Sequence, residues 1–85
     1  MATKTQKTPK PSKSQLVGAS KKSRKIVSDW CKDNRIKAEL SQDTLAEFAG
    51  IDRKTVNRIE NGHFSPSLDT MTRLSVVLGK KIPTI

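Results

Sequence analysis

Arg53, Lys54, Asn57 and Arg58 sit at spacings that gather them on one side of a helix. Their chemistry is that of hydrogen-bond donation to acceptor-rich edges. An arginine fork matches guanine O6 and N7, an asparagine amide matches adenine N6 and N7, and a lysine meets either a base edge or a phosphate. Alone, these four residues equally describe a solvated polar face, so what decides between the readings is the scaffold that would hold them.

That scaffold is legible in residues 42–61, which read as two short helices joined by a tight turn. Ser41 is an N-cap, and Asp43 in the first turn suits the positive end of the helix macrodipole. Thr44 stands where a complete capping box would have Glu or Gln. Leu45, Ala46 and Ala49 form a buried face, with Glu47 outward. Gly50 supplies the positive φ of the turn, Ile51 plugs it and Asp52 caps the next helix. Val56 and Ile59 face inward, and Asn61-Gly62 ends the run. Small Ala46 lets the two helices cross closely. A rigid crossed pair with a donor-rich second helix fits the major groove of duplex DNA.

The flanking elements follow from the same signals. A first helix is predicted over about 21–37, with Val27, Cys31, Asn34 or Arg35, and Ala38 at helical spacing and Ile26 and Trp30 widening the stripe. Ser67 caps a fourth helix over 68–78, with Leu68, Met71, Leu74 and Leu78 on one face and Gly79 past its end. Phe64 is expected to pack against the body. Residues 1–19 read as a disordered basic arm, 20–79 as the helix-turn-helix domain, and 80–85, with Pro83, as a tail or short dimerisation strand. The fold class is therefore all-α, a compact bundle of four to five helices.

Composition narrows the function. The chain has 85 residues, 33% hydrophobic, with a net charge of +9. Residues 1–25 contain 8 of the 17 basic residues and none of the 8 acids, so the rest of the chain is nearly neutral. Basic arms of this kind meet polyanions or remain solvated leaders. The longest apolar run, Val76-Val77-Leu78, is too short for a membrane span or a signal sequence. With one cysteine, Cys31, and one histidine, neither an internal disulfide nor a metal site is expected. The default location is a reducing cytoplasm, and no cofactor is implied. There is no glycine-rich phosphate loop and no carboxylate pair placed for acid–base work, so an enzyme is not expected.

The stretch Leu40-Ser41-Gln42-Asp43-Thr44-Leu45-Ala46, with Ala49-Gly50-Ile51, Arg58-Ile59-Glu60-Asn61-Gly62, Pro66-Ser67-Leu68 and Leu78-Gly79, resembles the phage repressor/Cro (Xre-like) family. The resemblance implies a compact bundle of about five helices that binds operator DNA, usually as a dimer, in transcriptional control. It implies base readout by Arg53, Lys54, Asn57 and Arg58, and phosphate contacts from Gln42, Thr55 and Asn61. It also implies an ion pair between Arg35 and Glu60. Two departures stand out: Glu39 occupies a place where the family commonly has Gly ending helix 1, and Pro83 one where a fifth helix commonly begins. Ile82 and Ile85 have no evident place within the chain and are candidates for a homodimer contact.

The leading expectation is a sequence-specific regulator, a repressor on a two-fold operator. One rival in the same fold is a DNA-binding antitoxin that also holds a toxin or other partner protein. A second rival is a bridging or RNA-associated protein whose lysine arm is the principal binder.

Overall fold

Ser12, Ser41, Asp52 and Ser67 each start a helix, and together they fix the order α1 Lys13–Lys37, α2 Gln42–Ala49, α3 Arg53–Glu60 and α4 Leu68–Leu78. In every case the capping side chain accepts a hydrogen bond from a backbone N–H of the first turn, satisfying a donor with no partner inside the helix. The computed structural model describes residues 8–85.

Two of these caps add detail. Ser12 and Gln15 form a full capping box: Gln15 N–H donates to Ser12 Oγ at 3.1 Å, and Ser12 N–H donates to Gln15 Oε1 at 2.7 Å. The box starts α1 eight residues before the predicted Lys21. Of the predicted basic arm, residues 1–7 lie outside the described residues, whereas 13–19 are the opening turns of α1. Apolar periodicity gave no hint of these turns because nothing packs on them. At α2, the Ser41 hydroxyl donates to the Thr44 hydroxyl at 2.9 Å, a bond between side chains, whereas a Glu or Gln at that place would accept the Ser41 backbone N–H.

The helices end in two ways. Gly50 and Gly79 stop α2 and α4 in the left-handed conformation, at φ of 68° and 66°. After α1, Glu39 takes that conformation without being glycine, at φ 57°. L-residues are strained there by about 1–2 kcal/mol. The turn nonetheless returns Leu40 N–H to Arg35 O at 3.1 Å and closes the helix.

Val27 and Cys31 of α1, Leu45, Ala46 and Ala49 of α2, Val56 and Ile59 of α3, and Met71, Leu74 and Leu78 of α4 form the core. Trp30, Leu40, Ile51, Phe64 and Val77 pack around it. Two expected inward residues are not inside. Leu68 is 70% exposed, since it opens α4 a turn before its first buried residue, Met71, and Ile26 lies at the surface of α1. Phe48 and Val76 are also largely exposed.

Only the C-terminal half of α1 packs on the body; its N-terminal half stands clear, which stretches the molecule to 54 Å against 25 and 20 Å across. No strand forms among the described residues. Residues 80–85 are irregular, tacked to the body where the Trp30 indole N–H donates to Lys81 O at 3.0 Å and Ser75 Oγ donates to Lys80 O. No helix among the described residues is long and apolar enough to cross a membrane.

Candidate nucleic-acid interface

Helix α3 has two faces. Val56, Ile59 and Glu60 are buried, whereas Arg53, Lys54, Asn57, Arg58 and the following Asn61 are exposed. At 100° per residue the exposed set falls within an arc of about 140°. Arg53, Asn57 and Asn61 succeed one another in one row, with Lys54 and Arg58 in the next. Thr55 is half-buried at the edge of this face.

The inner face is fixed by an ion pair between helices. Arg35 Nε donates to Glu60 Oε2 at 2.7 Å and Nη2 to Oε1 at 3.0 Å, a two-point match of guanidinium to carboxylate. The third guanidinium nitrogen, Nη1, donates to Leu40 O at 2.8 Å, which locks the loop behind Glu39. Gln42 Nε2 adds a further donor to Glu60 Oε1 at 3.0 Å, and the Cys31 thiol lies 3.6 Å from Oε2. No side-chain nitrogen or oxygen buried among the described residues lacks a partner.

This surrounding sets the protonation states. Burial acts to raise the Glu60 carboxyl pKa, but hydrogen bonds from Arg35 and Gln42, together with the Arg35 charge, hold it below the usual carboxylate value. The hydrogen bond to Glu60 raises Arg35 in turn. Burial, reinforced by the Glu60 carboxylate, pushes the Cys31 thiol up to about 12, so this cysteine is an inert core residue.

The network continues outward. Asn57 Nδ2 donates to Gln42 Oε1 at 3.4 Å, and Asn61 Nδ2 donates to Asn57 Oδ1 at 3.1 Å. A chain of hydrogen bonds thus runs from the buried carboxylate through Gln42 to the middle of the exposed face. Asn57 is held in orientation yet keeps one N–H and one oxygen lone pair free, the two groups needed to pair with adenine. Gln42 is turned inward by these contacts, and at the start of α2 it presents its backbone amide rather than its side chain. Arg53 Nε meets Asp43 Oδ1 at 3.1 Å, a solvent-exposed pair linking the first turns of α2 and α3.

The structure therefore gathers Arg35, Gln42, Arg53, Lys54, Thr55, Asn57, Arg58, Glu60 and Asn61 around α3. Ile82 and Ile85 lie apart from them, on the C-terminal segment, 37% and 65% exposed. Three supporting residues went unrecognised in the sequence. Arg73 Nη1 donates to Ala49 O at 3.2 Å and caps α2 beside the Gly50 turn. Ser28 Oγ donates to Glu60 O at 2.5 Å and Arg24 Nε to Gly62 O at 3.3 Å, so α1 clamps the end of α3. The helical spacing of Arg24, Ser28, Cys31 and Arg35 is the signal that could have found the last two.

Comparisons with known proteins agree with this architecture. A family model described as helix-turn-helix matches residues 32–85. The chain is 36% identical over 50 residues to an uncharacterized HTH-type transcriptional regulator of Methanothermobacter thermautotrophicus, covering 59% of this chain and 72% of that protein. It is 34% identical over 47 residues to the ImmF control region 10 kDa protein of Bacillus phage phi105, covering 55% of this chain and 52% of that protein. Among solved structures, the restriction-modification controller protein C.AhdI from Aeromonas hydrophila superposes with a TM-score of 0.67 at 28% identity, over 71% of this chain and 91% of that one. With the crossed α2–α3 pair, its glycine turn and the donor-bearing outer face, these matches show that the chain belongs to the repressor/Cro-like (Xre-like) helix-turn-helix family of DNA-binding transcriptional regulators.

Proposed function

We propose that the protein is a sequence-specific repressor that occupies a two-fold operator as a homodimer. The observation that carries this reading is the outward set Arg53, Lys54, Asn57 and Arg58 on a helix whose inner face is fixed by the Arg35–Glu60–Gln42 network. Helix α3 enters the major groove. Arg53 and Arg58 read guanine, Asn57 reads adenine, and Lys54 takes a base edge or a phosphate. Thr55, Asn61 and the amide end of α2 at Gln42 hold the backbone on either side.

Dimerisation uses α4 and the C-terminal segment. Ile82 and Ile85 there, with Val76 on α4, leave apolar surface in water that a second copy would cover. An Ile82→Lys, Ile85→Lys variant is expected to sediment as a monomer at micromolar concentration; a dimer unchanged by it removes this interface. The antitoxin reading draws on another observation, the exposed Phe48 on α2, which would seat a partner protein. Co-purification with the product of a neighbouring gene, lost in a Phe48→Ser variant, would favour that reading over repression alone.

Selection of bound duplexes from a random pool tests the main proposal. The expected result is one enriched half-site repeated in two-fold symmetry, about 10 base pairs centre to centre. A pool that returns no enriched sequence overturns it.

A further inference from the structure

We propose that the groove between α1 and the end of α3 is a second phosphate-binding surface, taking the DNA backbone that flanks the base-read site. Its walls are Lys21, Lys25 and Lys32 on one side and Asn61, Gly62 and His63 on the other. This inference rests on the DNA-binding reading above and extends it to an element that reading does not use.

Four observations carry it. First, the family match begins at residue 32, inside α1, so Lys21 and Lys25 lie outside the matched segment. Second, residues 8–28 contain no acid, and their basic residues include Lys21, Lys22, Arg24 and Lys25. Third, Lys21, Lys25 and Lys32 lie at helical positions that share one side within about 40°, spread over roughly 16 Å of helix. Measured along the duplex axis, that length spans about five phosphates of one strand, at ~3.4 Å of rise each.

The fourth observation sets direction. Arg24 Nε donates to Gly62 O and Ser28 Oγ to Glu60 O, so α1 is tied to the loop that immediately follows the recognition helix. The lysine row consequently borders Asn61, the last residue of the donor face. A duplex lying against α3 brings its backbone to this border. The acids of the groove do not block it: the Glu60 carboxylate is taken up by Arg35 and Gln42, and Asp29 is held by Lys25 in an exposed pair at 2.9 Å. Such a pair is weak enough for a phosphate to displace.

The test compares the full chain with a Lys21→Gln, Lys25→Gln, Lys32→Gln variant on the selected operator, in a short duplex ending at the half-sites and a long one with ten arbitrary base pairs added on each side. Wild type is expected to bind the long duplex more tightly. The variant should lose that gain and keep its sequence preference, and the slope of log affinity against log salt should fall by about 2.7 per protomer, at ~0.9 per lost phosphate contact. A Lys13→Gln, Lys22→Gln, Lys37→Gln variant removes the same charge from the other sides of α1 and should leave the slope and the length gain in place. Equal slopes for wild type and the groove variant overturn the inference, as does an equal loss in the control. If wild type selects no operator at all, it is the base-reading proposal that fails, and the two failures are distinguishable.

Discussion

Arg35–Glu60 and Arg53–Asp43 are both arginine–carboxylate pairs on α3, one on each of its faces. On the inner face the side chains are 14% and 3% exposed and the nitrogen–oxygen distance is 2.7 Å; on the outer face they are 56% and 78% exposed at 3.1 Å. The difference in solvent sets their roles. A buried pair has given up its hydration and depends on its partners, so it holds one geometry. An exposed pair contributes little, which leaves Arg53 free to exchange Asp43 for a phosphate or a base edge at small cost. One helix thus uses charge inward to fix its angle and outward to offer it.

Removing Arg35 is the largest blow to this contrast. Arg35→Ala strands Glu60 in the core and is expected to cost about 3–5 kcal/mol. For a domain of this size that is a drop in Tm of more than about 12 °C, read by circular dichroism melts at neutral pH. A shift of a degree or two would mean that the inner pair is no more structural than the outer one. Acid should have the same effect through Glu60. Its folded-state pKa is lowered, so its contribution is complete above the ordinary value of 4.5 and is lost as pH falls through the lower folded value. The wild type should therefore lose stability below about pH 4.5 more steeply than the Arg35→Ala variant does.

On the outer face the expected effects move from stability to recognition. Asn57→Ala breaks only exposed hydrogen bonds, to Gln42 and Asn61, and should change stability by no more than about 0.5 kcal/mol. Its operator discrimination at one base pair should fall by about 1–3 kcal/mol with the salt slope unchanged. Binding measured against single-base operator variants checks this. If melting falls as far as for Arg35→Ala, the outer face is structural and the distinction between the faces fails.

The contrast also explains what the sequence could and could not reveal. The α2–turn–α3 unit was legible because every signal there is local: Ser41, Gly50 and Asp52 act within one turn of where they stand. The outer face followed from helical spacing alone. The bends of Gln42 and Arg73 were not legible, because both side chains reach partners distant in sequence, Glu60 and Ala49, that only the packing supplies. The early start of α1 was missed for the opposite reason. Its only signal is the Ser12/Gln15 capping box, and a search guided by apolar periodicity passes over helical turns that bury nothing.

Glu39 offers a smaller change that sharpens the comparison. Its left-handed backbone carries Leu40 O onto Arg35, so strain at this exposed residue supports the buried pair. Glu39→Gly relieves the strain at some cost in unfolded-state entropy, for a net gain of up to about 1 kcal/mol. Denaturant melts should show the higher midpoint with an unchanged slope. A loss of stability would mean that the Glu39 side chain contributes more than its backbone costs.

Asp43→Asn is the smallest change and bears directly on the outer pair. Asp43 helps α2 in two modest ways, through Arg53 and through the positive helix end, together about 0.5–1 kcal/mol. Stability should therefore dip slightly. Affinity for operator DNA should rise a few-fold, because Arg53 is released and one acid leaves the face that meets a polyanion. Titration of labelled operator at fixed salt reads the effect. Weaker binding would show that Asp43 positions Arg53 for readout, and the outer pair would then be as geometric in purpose as the inner one.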